Sequence, residues 1–256
     1  MTRRARLMLF AFAGPGLAAV LVIGFAGLPS FGDYHGVYGH VVTGIELAER
    51  HATDIVTALN FDIRAFDTLG EEIILFASVT GVALLLRPLR EEEEDEDSED
   101  GGQEAPHVFG GASDALRTIS APLAAFLVAL GAYVVVHGTI TPGGGFQGGV
   151  VLAAGPLAVF VGGRYLASRR LAPDWAVEAM DAAGAAGYVL MGIGGLVFAS
   201  IFLKNFLPLG SPGHLLSGGF MPLNSIAVGL EVTGAFLLVW TEFLDQALVM
   251  REKGGS

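Results

Sequence analysis

Six stretches of the chain are apolar over the length of a bilayer, and polar or glycine-rich segments separate them. A spanning helix needs about 20 residues, which the runs at roughly 7–28, 66–86, 117–137, 147–167, 183–203 and 223–243 supply. Stretches such as AAFLVALGAYVVV do not alternate, whereas the strands of a transmembrane barrel alternate over about 10 residues. The pattern predicts an all-α integral membrane protein of about six transmembrane helices. Arg3, Arg4 and Arg6 precede the first run, which outlasts the core of a secretory signal, about 7–15 residues, and ends in GLPSFG. It is expected to be a retained first helix.

Between the third and fourth runs lies HGTITPGGGFQGGV, from His137 to Val150. Pro142 is expected to stop one helix, and Gly143, Gly144 and Gly145 permit positive φ values or close backbone approach. This stretch, with Phe146, Gln147, Gly148 and Gly149, predicts a specified structural hinge.

The polar segment from Gly32 to Ala65 is expected outside the hydrocarbon core. Within it, the apolar spacing of VVTGIELAERHATDIVTALN predicts an amphipathic helix lying on the membrane or on a partner. The second run opens with FDIRAFDTLGEE, where Asp67 and Glu71 stand four apart on one helical face. Glu71 and Glu72, in the first turns, suit the helix dipole; at a membrane entrance they also suit ion or proton handling. The spacing leaves both readings open.

EEEEDEDSEDGGQEAP follows, an acidic low-complexity linker expected to be disordered. It divides the chain into a two-span unit at 1–90, a linker at 91–114 and a four-span unit at 115–250. A short polar loop with Pro173, Asp174, Glu178 and Asp181 is expected before the fifth run. That run is rich in small residues suited to close packing in lipid. The last run carries Glu231, which lies about 12 Å deep counting from Leu223 at about 1.5 Å per residue. An ionisable group there needs a polar partner or a hydrated cavity, in a relay or in a helix-packing hydrogen bond. His137, at a span end, can titrate near neutrality or simply be a hydrogen-bonded structural residue, and Lys204 can snorkel or balance a carboxylate.

Composition sharpens this picture at three points. A mean hydropathy of +0.59 with 16% charged residues excludes an ordinary soluble domain. The net charge of −12 is local, since ten acidic residues fall between Glu91 and Glu104, and no basic patch suits nucleic acid. With no cysteine, thiolate metal sites and disulfides are excluded. Neither a nucleotide signature, nor a metal motif, nor a Ser/His/Asp constellation is present, so neither enzyme chemistry nor a cofactor is expected. Eleven of the 14 basic residues fall on one side of a six-span arrangement, which predicts cytoplasmic termini. The ion or proton candidates Glu231, Glu71, Asp67, His137 and Lys204 are too dispersed for a complete pathway, which predicts a subunit of a larger assembly.

HGTITPGGGFQGGVVLA, GLVFASIFLKNFLPLG and NSIAVGLEVTGAFLLVWTEF together resemble the B subunit (MnhB/MrpB) of Mrp-type multisubunit sodium/proton antiporters, over roughly residues 115–250. FDIRAFDTLGEEIILFASVTGVALLLR resembles the C-terminal extension of the family's A subunit. The resemblance implies a multi-pass subunit in a prokaryotic cytoplasmic membrane, exchanging sodium ions for protons together with subunits A, C, D, E, F and G. It assigns residues 142–149 a structural or assembly role and places Asp67, Glu71, Lys204 and Glu231 in matching stretches. Related modules occur in membrane-bound hydrogenases, so a membrane-arm subunit of a redox-driven pump is the alternative, beside a purely structural scaffold.

Overall fold

The computed structural model describes residues 3–28, 36–99, 112–163 and 165–253. Among these, the regular elements are helices. Two units separate at Val41/Val42. The smaller holds α1 (Arg3–Ala26), with Pro15 inside it, and the boundary falls within α2 (Val37–Ile45). The helices that carry the site belong to the larger unit.

Four of its helices are long and apolar enough to cross a bilayer: α4 (Ala65–Glu99) over Ala65–Leu86, α5 (Asp114–Val136), α8 (Asp174–Ala199), and α9 (Met221–Lys253) over Met221–Leu244. Shorter apolar helices, Ala13–Ala26 within α1 and α6 (Gly145–Val161), occupy the two remaining apolar runs. α9 is the hub. It packs against α4, α5, α6 and α8, and 61% of its apolar window is buried against 22% in each of the other three spans. This explains why its inward stripe tolerates few large exposed groups and carries Val228, Val232 and Ala235 at zero exposure.

The hinge is a folded object. α5 ends at Val136 with His137 as its cap, so Pro142 follows the helix end by several residues and does not cause it. Gly144, at φ +110°, turns the chain into α6, a conformation open to glycine and strained for other residues. Buried non-helical backbone needs its polar groups satisfied by the surrounding protein. Thr53 N and Asp54 N both donate to Thr139 O, Thr53 Oγ1 donates to Ile140 O, and Ser225 Oγ donates to Val135 O.

Thr53 and Asp54 come from the segment expected to be a surface amphipathic helix, and here the structure corrects the expectation. α2 passes into a π-helical turn, Glu46–Arg50, that ends at His51 in the left-handed region. A single helical turn, α3 (Ile55–Ala58), follows, capped by Asp54, whose carboxylate accepts from Thr57 N; a second π-helical turn runs Leu59–Ile63. Ala52, Ala58 and Phe61 are buried in the main core with Tyr188 and Val232. The segment is broken because it docks onto the hinge and the 205–220 connection, where His51 Nδ1 lies 2.6 Å from Gly210 O.

Two further expectations change. α8 starts at Asp174, so Asp174, Glu178 and Asp181 lie in the opening turns of a spanning helix and not in a polar loop. Arg169 of α7 (Tyr165–Leu171) clasps that start, reaching both Asp174 carboxylate oxygens at 2.7 and 2.8 Å. The acidic run is helical through Glu99, as an extension of α4, consistent with the strong helix propensity of glutamate; its remainder to residue 111 lies outside the described residues.

Candidate ion-handling site

Three helices each bring one carboxyl group to the middle of the larger unit. On α4 the buried positions Ala65, Leu69, Glu72, Val79 and Ala83 recur at helical spacing, so Glu72 faces inward, 1% exposed, while Glu71 lies on the exposed face. On α8 the buried stripe is Val177, Asp181, Gly184, Tyr188, Gly192 and Gly195. On α9, Glu231 is wholly buried. At about 1.5 Å per residue, Glu72 and Asp181 lie roughly 10 Å along their helices and Glu231 roughly 15 Å along its own.

The helices meet tightly at this level. A Cβ on Gly184 would come within 2.5 Å of Glu231 Cβ, and one on Gly234 within 2.5 Å of Asp181 N. Each glycine lets the opposite helix bring its carboxyl group into the seam. The Glu72 and Glu231 carboxyls lie in hydrogen-bonding range of one another, with Asp181 close enough to act on both. Both oxygens of each glutamate, and Oδ1 of Asp181, are buried without a donor. Two carboxylates offer only acceptors, so the pair forms a hydrogen bond once a proton is shared.

The charged groups acting on this pair are acidic: Glu71 and Asp181 on Glu72, Glu72 and Asp181 on Glu231. Three buried carboxylates with no counter-charge among the described residues are too costly to stand alone, so protons or a small cation must accompany them. At the α4 edge of the cluster, Tyr188 Oη donates to Ala65 O at 2.9 Å.

Of the residues singled out in the sequence, Glu231 stands in this cluster. Asp67 is exposed and ion-paired with Arg64. His137 caps α5, its ring stacked on Tyr133 with centroids 3.9 Å apart. Lys204 is exposed, while its backbone packs against Gly195. Around the hinge, Pro142 and Gln147 are exposed, Gly143 is half-buried, and Phe146 packs on the core. Gly145 lies against Ser225 and Val228 of α9, Gly148 against Val135 of α5, and Gly149 against Val232 of α9.

Neither Glu72 nor Asp181 is among the five ion or proton candidates that the sequence yields, although a signal exists for each. Asp67 and Glu71 share a face, but the small and apolar residues of α4 put that face outward and residue 72 inward. Asp181 is in phase with the glycine stripe of α8, which shows only once the helix is extended back to Pro173.

A family model described as a domain related to the MnhB subunit of Na+/H+ antiporter matches residues 115–238. An uncharacterized protein of Methanocaldococcus jannaschii is 34% identical over 208 residues, covering 72% of this chain and 76% of that protein. Among solved structures, a chain of the membrane-bound sulfane sulfur reductase, an archaeal respiratory membrane complex, superposes with a TM-score of 0.68 at 26% identity, over 95% of this chain and 99% of that one. A chain of the Mrp complex from Dietzia sp. superposes with a TM-score of 0.66 at 22% identity, over 94% of this chain and 26% of that much longer one.

Proposed function

Since the chain belongs to the family related to the MnhB subunit of Na+/H+ antiporters, we propose that it works as a membrane subunit of a multisubunit cation/proton antiporter in which Glu72, Glu231 and Asp181 take up and release the exchanged proton. The observation that carries this reading is the convergence of three carboxyl groups from three helices on one buried seam with no donor among the described residues. A helix-packing role would need one carboxyl and one donor. A group of acceptors alone gains its hydrogen bonds only by changing its proton or cation content. The exchange itself makes and breaks no covalent bond, and the further subunits of the complex supply the rest of the path.

A second reading rests on the end-to-end match to the sulfane sulfur reductase chain. In it, the same cluster serves a respiratory complex, and redox chemistry in other subunits drives the ion movement. The two readings share the site and differ in what surrounds it.

Glu231→Gln retains size while removing the titrating group. In everted membrane vesicles, sodium-dependent collapse of a proton gradient is expected to slow about tenfold or more, with the complex intact on a native gel. A wild-type rate in an intact complex would overturn the proton-carrying role, and loss of the complex would return Glu231 to helix packing.

A further inference from the structure

Beside the hinge, at the end of the bundle where α4 and α9 begin, a second group of polar side chains lies outside the spanning segments. That end is defined by Asn205, which donates to Gly218 O and accepts from Phe220 N just before α9, and reaches Asp62 just before α4. Here Glu46 and Asp54 are each 6% exposed, Thr57 2% and Thr139 1%. They are one neighbourhood. Asp54 N donates to Thr139 O, Asp54 Oδ2 accepts from Thr57 N, and Glu46 lies within electrostatic reach of Asp54. A Cβ at Gly144 would stand 3.8 Å from Thr57 Oγ1, 3.7 Å from Gln147 Oε1 and 3.9 Å from Ser225 Oγ, so three side-chain oxygens surround the space that this glycine leaves open.

Two of these groups are left without partners. Thr139 Oγ1 and Glu46 Oε2 are buried and make no hydrogen bond, which costs about 1–3 kcal/mol for a neutral group and more for a charged one. Burial pushes the Glu46 carboxyl above its usual 4.5, and the neighbouring Asp54 pushes it further. The segment that carries both acids is folded onto the hinge by its own backbone, so their approach is built in.

We propose that Glu46, Asp54, Thr57 and Thr139 form a binding site for a small monovalent cation, Na+, separate from the Glu72/Glu231/Asp181 cluster. Its oxygens are hard ligands, two carboxylates and two hydroxyls, which suit an alkali or alkaline-earth ion over a transition metal. A divalent ion asks for more anionic ligands: among the described residues no group of three or more His, Cys, Asp or Glu is placed to hold a metal. One carboxylate oxygen is already committed to Thr57 N. Sodium as the ion rests on the antiporter reading above, and it gives the exchanged cation and the proton different residues on the same chain.

The test is direct binding of 22Na+ to the purified complex by scintillation proximity, which does not depend on transport. Thr139→Val removes a hydroxyl that bonds nothing, Glu46→Gln is isosteric, and Asp54→Asn retains a side chain that caps α3 well. About a tenfold loss of Na+ affinity is expected in each. Unchanged binding in Thr139→Val and Glu46→Gln would overturn the site, and displacement of 22Na+ by micromolar Ca2+ would overturn the monovalent assignment. Retained binding in a complex that fails to exchange sodium for protons would leave the site standing and sink the antiporter reading instead.

Discussion

At the scale of single residues, the decisive contrast is between neighbours. Glu71 and Glu72 differ by one position, about 100° around a helix, and that rotation separates an exposed carboxylate from one buried to 1%. Glu72→Gln is expected to slow exchange about as much as Glu231→Gln does, because either change removes a partner from a shared proton site. Glu71→Gln acts only through its field on Glu72 and is expected to stay within about twofold of wild type. Equal effects at 71 and 72 in the vesicle assay would contradict the burial argument. The i,i+4 rule applied to Asp67 and Glu71 identifies residues that share a face. It does not say which face meets protein, and that depends on the phase of Ala65, Leu69, Val79 and Ala83.

At the scale of elements, the α8/α9 crossing is set by Gly184 and Gly234, each opposite a carboxyl-bearing residue of the other helix. Small residues drive association in lipid by letting backbones approach, since lipid tails compete with apolar side chains. Gly184→Val would drive branched carbons into Glu231 N and Ala227 O, at a cost of about 1–3 kcal/mol for an overpacked seam. Thermal inactivation of the detergent-purified complex is expected several degrees below wild type, with exchange lost before assembly. Wild-type inactivation and exchange would mean that the seam relaxes at no cost. The hinge behaves differently. Pro142 and the glycines mark the break in the sequence, but the bonds that make the break tolerable come from Thr53, Asp54 and Ser225, which are distant along the chain.

At the largest scale, the larger unit wraps one central helix in four others and holds two polar centres at different levels. The broad apolar surface that remains, including Phe66, Ile74 and Leu85 on α4 and Leu190, Val197 and Phe198 on α8, suits lipid or neighbouring subunits. Mass spectrometry of the complex purified through this chain from native membranes in mild detergent is expected to find antiporter-type subunits without redox proteins. Iron–sulfur or other redox subunits would move the chain to the respiratory reading, and its isolation without partners would sink the subunit assignment.

Apolar run length and non-alternating pattern were enough to determine the class of this protein, an all-helical membrane chain, because span length is a local property set by bilayer thickness. The family was legible in PGGGFQGG and the stretches that follow, and Glu231 stood out as an ionisable residue inside an apolar run. Tertiary structure alone decided that Glu231 faces Glu72 and Asp181, that residues 51–58 fold back to satisfy the hinge, and that Asp67, His137 and Lys204 stand apart. The physical reason is that one-dimensional spacing fixes which residues share a helical face, whereas the partner of that face depends on close approach at glycines such as Gly184 and Gly234. Those contacts join positions about fifty residues apart, and the carboxyl groups they bring together on α4 and α9 are more than a hundred residues apart.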